Sequence, residues 1–198
     1  MIKESIIAKA SRCIDEVYPS PNDINAPFLP VEVFIGEAAE CVIKLVPAHL
    51  LGPGTRIEIN DAEISEGKGA WTLPTTFRRL ISFKCKNWAR PVLIPIYDTD
   101  ASYVQQANPY MRGTAQRPVV ALCEGESVLE FYPAVEGATA AMRYFGFDPQ
   151  DDSLWDNIPE KLVPIIAWKT AEAVLTSISS YTAAQACQAK VNELIQAL

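Results

Sequence analysis

The single histidine of the chain is the first residue to test for chemistry. His49 lies between Pro47 and Gly52, at the predicted end of a helix. Because zinc sites are usually built with at least two histidines or several cysteines, one imidazole excludes the two-histidine arrangements. Pairing with Cys41 as nucleophile and base would need that thiol to be exposed and oriented two turns away. We therefore interpret His49 as a helix-end or surface residue.

Two pairs of carboxylates lie close enough in sequence to act together. Asp98 and Asp100 stand two residues apart in a polar stretch, and Asp151 and Asp152 are adjacent in another. Paired acids can hydrolyse a glycoside or hold a divalent cation. Acids on loops are more commonly solvated, so a small hydrolase that uses loop acids stays only an alternative. The sequence predicts no cofactor and no metal site, and we do not expect an enzyme.

No phosphate-binding loop is recognisable in the sequence. Gly67-Lys68-Gly69 lacks the preceding glycine and the following hydroxyl residue of a nucleotide-binding loop, and Gly52-Pro53-Gly54 is a turn. The net charge of −7 argues against a protein that grips nucleic-acid backbones, since that work needs clustered lysine and arginine. An acidic surface is nevertheless compatible with DNA that passes without sequence-specific binding.

Arginines are concentrated near the middle of the chain, where aromatic residues alternate with them. This mixture is typical of protein interfaces, although the same arginines could touch phosphates, and we favour the interface interpretation. The tryptophans Trp71 and Trp88 could equally be core residues, and Trp168 is expected to be one. The candidate protein-interface residues are Arg78, Arg79, Trp88, Arg90, Tyr103, Tyr110, Arg112 and Arg117.

The five cysteines are scattered singly, and no two of them form a Cys-x-x-Cys pair. An odd number of cysteines in apolar stretches favours reduced, mostly buried thiols and a cytosolic site of synthesis. The first residues mix charges, at Lys3 and Glu4, too early for a secretory signal. No apolar run approaches the ~18 residues that a membrane span needs, so we expect no membrane association.

Apolar residues recur at helical spacing at both ends of the chain. An N-terminal helix is predicted to end at Pro19, and a second helix to begin at Pro30 and stop before Pro47. Near the other end, a strongly apolar helix is predicted to begin around Pro164. The short connection at Ser179-Ser180 predicts that a last helix packs antiparallel to it.

Short β-like runs alternate with turn residues between these helical ends. The turn over residues 124–127 predicts a hairpin and antiparallel pairing. The stretch over residues 98–113 is polar and irregular, and a loop of this length is more often functional than idle. The predicted strands cover residues 55–59, 77–86, 91–97, 119–123, 128–132 and 141–147.

The pattern as a whole predicts an α+β fold, in which a helical bundle carries an inserted small antiparallel β domain. Residues 1–54 supply the first helices of the body, residues 55–147 the insertion, and residues 148–198 the helices that complete the body. A chain of 198 residues that is 49% hydrophobic can build such a core without disulfides.

Several phrases of the sequence resemble a known family of proteins. They are Trp71-Thr72-Leu73-Pro74-Thr75-Thr76-Phe77-Arg78-Arg79-Leu80, Lys86-Asn87-Trp88-Ala89-Arg90-Pro91-Val92, Arg112-Gly113, Arg117-Pro118-Val119 and Pro159-Glu160-Lys161-Leu162. In this pattern the chain resembles head-to-tail connector (adaptor or ring) proteins of podovirus-like tailed bacteriophages. Thr76 stands where members of that family usually carry an acid.

The resemblance implies a virion structural protein, made in the host cytoplasm and located at the head-tail junction. It would form a homo-oligomeric ring, expected to hold twelve copies, between the portal protein and the next tail component, with DNA passing through. In a ring, each copy presents different faces to its two neighbours. The residues leave open a cytosolic protein-binding module, which would be a monomer with one exposed apolar patch.

Overall fold

The computed structural model describes residues 2–18, 31–123 and 125–198. It divides into two compact units, which we call the helical unit (Met1–Gly52 with Phe147–Leu198) and the β unit (Pro53–Gly146). The predicted α+β class is confirmed. The loop and helix start predicted at Pro19 to Pro30 and residue Glu124 of the predicted hairpin turn lie outside the described residues.

The helices and strands of the described residues are as follows. The helices are α1 (Ile2–Val17), α2 (Val31–Leu45), α3 (Ala101–Val104), α4 (Asp152–Trp155), α5 (Val163–Ser177) and α6 (Tyr181–Gln196). The strands are β1 (Thr55–Ile59), β2 (Glu63–Ser65), β3 (Lys68–Thr72), β4 (Phe77–Cys85), β5 (Ile96–Tyr97), β6 (Val119–Cys123), β7 (Val128–Tyr132) and β8 (Ala140–Gly146). Within the described part of the chain, no helix is both long and apolar enough to cross a membrane.

The apolar helix α5 forms the centre of the helical unit, where it contacts α1, α2 and α6. Pro164 lies in its first turn, where the missing N–H has no helical partner to lose. The buried hydroxyl of Thr170 donates to the Ile166 carbonyl, 2.8 Å away, so this polar group is satisfied inside the core. Trp168, predicted to be a core residue, is only half-buried.

The β unit contains two sheets. One has the strand order β1-β8-β4 and is antiparallel throughout, and the other has the order β2-β3-β7-β6-β5. In the second sheet β5 runs parallel to β6, with Ile96 opposite Ala121, whereas the other strand pairs of the described residues are antiparallel. Apolar side chains from both sheets, including Phe83, Leu129 and Phe131, form one buried core.

The strand predicted over residues 91–97 is wrong over most of its length. Only Ile96–Tyr97 forms a strand, and Val92 makes an isolated bridge to Phe83. Pro91 and Pro95 are the physical reason, because proline has no N–H to donate to a ladder.

The sequence analysis did not predict the hairpin of β2 and β3. The turn consists of Glu66 and Gly67, both with positive φ (52° and 79°), as tight hairpins of this kind require. Gly69 lies within β3, opposite Phe131. A Cβ atom at Gly69 would lie 2.2 Å from the Phe131 ring, so the absence of a side chain lets the ring pack against the strand.

Replacing Gly69 by alanine is therefore expected to destabilise the β unit by about 1–3 kcal/mol, because the core must shift to accept the methyl group. Urea unfolding combined with hydrogen exchange of the β3 and β7 amides measures the effect. Gly125→Ala is the matched control, since a Cβ there meets nothing within 4 Å. Equal stability of the two variants would contradict this account of Gly69.

All five cysteines are free, and four of them are buried. Burial raises the pKa of the Cys13 thiol to about 11 and the pKa values of the Cys85 and Cys187 thiols to about 12. Because the thiolate is the reactive form, these thiols are inert in the folded protein.

Cys41 is partly exposed and is expected to react first with iodoacetamide near pH ~8. Mass spectrometry of the native protein should find one fast cysteine, and Cys41→Ser should remove that fast phase while leaving the slow sites unchanged. Labelling of Cys85 or Cys187 at the same rate as Cys41 would contradict their burial.

Candidate functional site

The segment between β4 and β6, residues 86–118, carries an unusual concentration of exposed apolar side chains; we call it the β4–β6 connection. Six of the twelve exposed large hydrophobic residues in the described part of the chain lie in it. Ile94 is 85% exposed and Tyr110 97% exposed. Single exposed apolar residues are ordinary, whereas several of them in one segment make that segment a candidate interaction surface. The six are Leu93, Ile94, Tyr97, Val104, Tyr110 and Met111.

Backbone hydrogen bonds tie the β4–β6 connection to the sheets at several points. Phe83 and Val92 exchange two bonds, of 2.9 and 2.8 Å between nitrogen and oxygen. The Asp98 N–H donates to the Leu122 carbonyl, 3.2 Å away. The connection is thus an ordered part of the β unit that is hydrogen-bonded to both sheets.

A buried glutamine links two points in the middle of the connection by side-chain hydrogen bonds. Gln106 is 6% exposed, and its amide group donates to the Ser102 carbonyl at 3.0 Å. Its side-chain oxygen accepts the N–H of Gly113 at 2.9 Å, in a buried position. A Cβ at Gly113 would lie 2.9 Å from the Tyr132 carbonyl oxygen, so the chain approaches the sheet closely there. The turn between these two points presents Tyr110 to solvent.

The buried carboxylate of Glu130 anchors the helix α3 of the connection to the second sheet. Glu130 is 5% exposed, and the Tyr103 hydroxyl donates to its Oε2 atom at 3.1 Å. The Tyr132 hydroxyl donates to the same oxygen at 2.7 Å. Lys68 Nζ donates to the other oxygen, Oε1, and completes an ion pair. We call these four residues the Glu130 cluster.

The strand register explains why this cluster forms. Glu130 lies opposite Ala70 on one side and Ala121 on the other, and two small neighbours leave room for its side chain. Tyr132 is two residues along the same strand, and Lys68 is two residues from Ala70. The period of two places all of them on one face of the sheet. Leu129 and Phe131 alternate with them and face the apolar core.

The electrostatics of the cluster favour an ionised carboxylate. Burial by itself raises the pKa of Glu130, but the hydrogen bonds from Lys68 and Tyr132, the Lys68 charge and the Tyr103 hydroxyl outweigh it and hold the pKa below its ordinary value. Burial, together with hydrogen bonds, raises the pKa values of the Tyr103 and Tyr132 hydroxyls, so both remain donors. The cluster is a satisfied structural anchor.

The structure does not place all of the predicted interface residues on the surface. Trp88 is 3% exposed, its Nε1 donates to the Pro133 carbonyl at 2.9 Å, and its ring packs against Phe83 and Phe131. This indole is a core residue of the β unit, which corrects its assignment to an interface. The Tyr103 ring is half-buried and its hydroxyl points to Glu130.

The predicted arginines and Tyr110 have more varied positions. Arg78 donates to the carbonyls of Thr75 and Phe77 at 2.8 and 3.0 Å, and Arg79 is half-buried beside it on β4. Arg112 donates to the Glu66 carbonyl in the β2–β3 turn, so it joins the connection to that hairpin. The exposed residues among those predicted are Arg90, Tyr110 and Arg117.

Three of the four carboxylates considered for hydrolysis have structural partners. Asp100 accepts the Tyr97 N–H at 2.8 Å, and Asp151 accepts the N–H and the hydroxyl of Ser153 at 3.0 and 2.7 Å. Asp152 pairs with Lys3 at 2.6 Å. His49 lies in a 3₁₀ turn of the helical unit. Among residues 2–18, 31–123 and 125–198, no group of three or more His, Cys, Asp or Glu side chains could hold a metal ion.

The sequence analysis missed Glu130, Lys68 and Gln106, which position the connection. One signal for Glu130 was present, because a single acid interrupts the apolar strand Val128–Tyr132 and needs a partner if it is buried. No family model matches the chain, and no curated protein does. The function is therefore inferred from these side chains and from the resemblance described above.

Removing the Tyr103 hydroxyl is expected to loosen the connection. Tyr103→Phe deletes one hydrogen bond to a charged group, which is worth about 1.5–3 kcal/mol. Faster amide exchange over residues 101–113, with β8 unchanged, is the expected result by hydrogen-exchange mass spectrometry. Tyr110→Phe is the control, since that side chain is 97% exposed. Equal exchange in both variants would contradict the anchoring role.

The Glu130 cluster also predicts a pH dependence. The pKa of Glu130 lies below its ordinary value of 4.5, so the folded state binds this proton less readily than the unfolded state. The stabilisation is therefore fully present above pH 4.5 and is lost as the pH falls through the folded-state pKa. The free energies of unfolding of the wild type and Glu130→Gln, measured by denaturant titration at a series of pH values, should differ most near neutral pH. They should converge in acid. A constant difference at all pH values would contradict the ionised anchor.

Proposed function

We propose that this protein is a virion structural protein of the head-to-tail connector class. It assembles as a ring of about twelve copies below the portal protein, binds the next tail component and lets DNA pass. The observation that carries the proposal is the group of exposed apolar side chains on the β4–β6 connection, held in place by buried polar anchors. A surface of this kind is suited to contact with other subunits.

The connection is held in one conformation by hydrogen bonds, and this favours a role in binding a partner. Fixing a mobile loop at an interface costs free energy, and a loop that is already anchored avoids much of that cost. Glu130 and Gln106 supply this anchoring before any partner arrives. The exposed residues include Tyr110 and Met111 beside arginines, and tyrosine, methionine and arginine are enriched at interfaces.

Three of the five phrases that carry the family resemblance lie in the connection or lead out of it. Trp88 fixes its start through Pro133, Gly113 is the partner of Gln106, and the phrase Arg117-Pro118-Val119 leads directly into β6. Ala89 N–H donates to the Ala115 carbonyl at 2.9 Å, so the two similar phrases around Arg90 and Arg117 are joined. This supports the view that the pattern encodes a displayed surface.

Exposed apolar residues on the other unit favour a connector over a cytosolic binding module. The helical unit exposes Val33 by 71%, Tyr181 by 63% and Leu45 by 54%. A protein between two neighbours needs contacts on different parts of its surface, whereas a module needs one patch. The net charge of −7 supports DNA passage without sequence-specific binding, because the chain repels phosphates.

The assembly test mixes the purified protein with the portal protein of the same virus. Rings stacked on the portal are the expected result in negative-stain images, and mass spectrometry should find the protein in purified virions. A monomer in isolation does not decide the question, since assembly can depend on the portal. No association with the portal, together with absence from virions, would contradict the connector function.

The variant Leu93→Ser/Ile94→Ser tests the surface that carries the proposal. Both side chains are exposed, so the fold should be preserved while assembly on the portal falls by about tenfold or more, as expected for interface anchors. Val135→Ser is the control, because this residue of the same unit is 52% exposed but lies outside the connection. Assembly of the double variant at the wild-type level would show that the connection does not contact a partner.

A further inference from the structure

The two units of the chain carry very different charge. The ranges of the helical unit contain seven lysines and arginines and fourteen aspartates and glutamates, whereas the β unit contains ten of each. The entire net charge of −7 therefore belongs to the helical unit. Charge separated in this way can steer one part of a molecule toward a different part of its neighbour.

The β unit is neutral in total, yet most of its positive charge lies on β4 and the β4–β6 connection. Residues 77–117 hold seven lysines and arginines and only two aspartates. The hydrogen bond between Ala89 and Ala115 brings the neighbourhoods of Arg90 and Arg117 together. Leu93 is 57% exposed and Ile94 85% exposed, a few residues beyond Arg90. We call Arg90, Leu93, Ile94 and Arg117 the basic edge.

The helical unit presents a surface of opposite charge and similar construction on α2. Val33 is 71% exposed, although residues on the other side of the helix, such as Ile35 and Val42, are buried. Glu37 lies one turn further along the same side and is exposed, as is Glu32 beside Val33. We call Glu32, Val33 and Glu37 the acidic face of α2. It offers an apolar centre with acids around it.

We propose that the basic edge of one copy docks on the acidic face of α2 of the next copy. This inference rests on the connector function proposed above and names its subunit contact. Arginines would face glutamates while Leu93 and Ile94 cover Val33, so charge and apolar surface are both complementary. The two surfaces belong to different units of one chain, so the contact is head-to-tail and can repeat around a closed ring.

A charge-reversal experiment on the portal-dependent assembly tests the contact. Arg90→Glu/Arg117→Glu and Glu32→Lys/Glu37→Lys are each expected to lower the assembled fraction by about tenfold or more, because each places like charges at every contact. An equal mixture of the two variants should regain assembly. In the mixture every contact between unlike copies again joins opposite charges, and twelve positions allow strict alternation.

Matched variants keep the test specific to these surfaces. Asp15→Lys/Glu16→Lys changes two exposed acids on α1 by the same charge and should assemble like the wild type. Circular dichroism verifies the fold of each variant. Glu32 lies in the first turn of α2, where an acid favours the helix, so Glu37→Lys alone tests the same face if the double variant unfolds.

Three outcomes would overturn the proposed contact. They are wild-type assembly of either folded charge-reversal variant, failure of the mixture to assemble, and loss of assembly in the α1 control. Each of these leaves the connector function intact as long as the wild type forms rings on the portal. Failure of the wild type itself to assemble would remove the connector function and, with it, the docking inference.

Discussion

The carboxylate of Glu130 is the interaction on which the rest of the candidate site depends. A charge with 5% exposure is costly unless it is paired and hydrogen-bonded, and Glu130 has a lysine and two tyrosine hydroxyls as donors. One donor comes from β3, one from its own strand and one from α3. The cluster therefore fixes three parts of the β unit to each other, and the displayed connection is one of them.

The two faces of the second sheet have different roles. One packs into the apolar core, and the other holds the β4–β6 connection. On one face Leu129 and Phe131 join the apolar core, with Gly69 allowing the Phe131 ring to pack against β3. On the other face Glu130, which also accepts the Tyr132 hydroxyl, holds α3 through the Tyr103 hydroxyl. Apolar packing has no fixed direction, whereas hydrogen bonds have, so the polar face determines where the connection lies.

The charge distribution gives the proposed assembly a physical basis. Arginine is present mainly in the β unit and the net negative charge resides in the helical unit. A ring built from such chains can alternate opposite charges at each contact while it remains acidic in total. The same acidity would disfavour the binding of DNA phosphates, as the proposed passage of DNA requires.

The sequence by itself determined the α+β class, the helices at both ends and most of the strands. These features depend on local periodicity and on proline and glycine, which act within a few residues. The helix α5 and the strands β6 and β7 could be predicted for this reason. The long stretch over residues 98–113 could also be recognised as unusual before its contacts were known.

Only the tertiary structure decided which of the predicted interface residues are exposed and which are buried. Trp88 became a core residue and Tyr103 an anchor, while Leu93, Ile94 and Met111, which were not among the predicted interface residues, proved exposed. The positions of Glu130, Lys68 and Gln106 depend on strand register and on the path of a long connection. Those are set by contacts between residues far apart in the chain, and no local pattern contains that information.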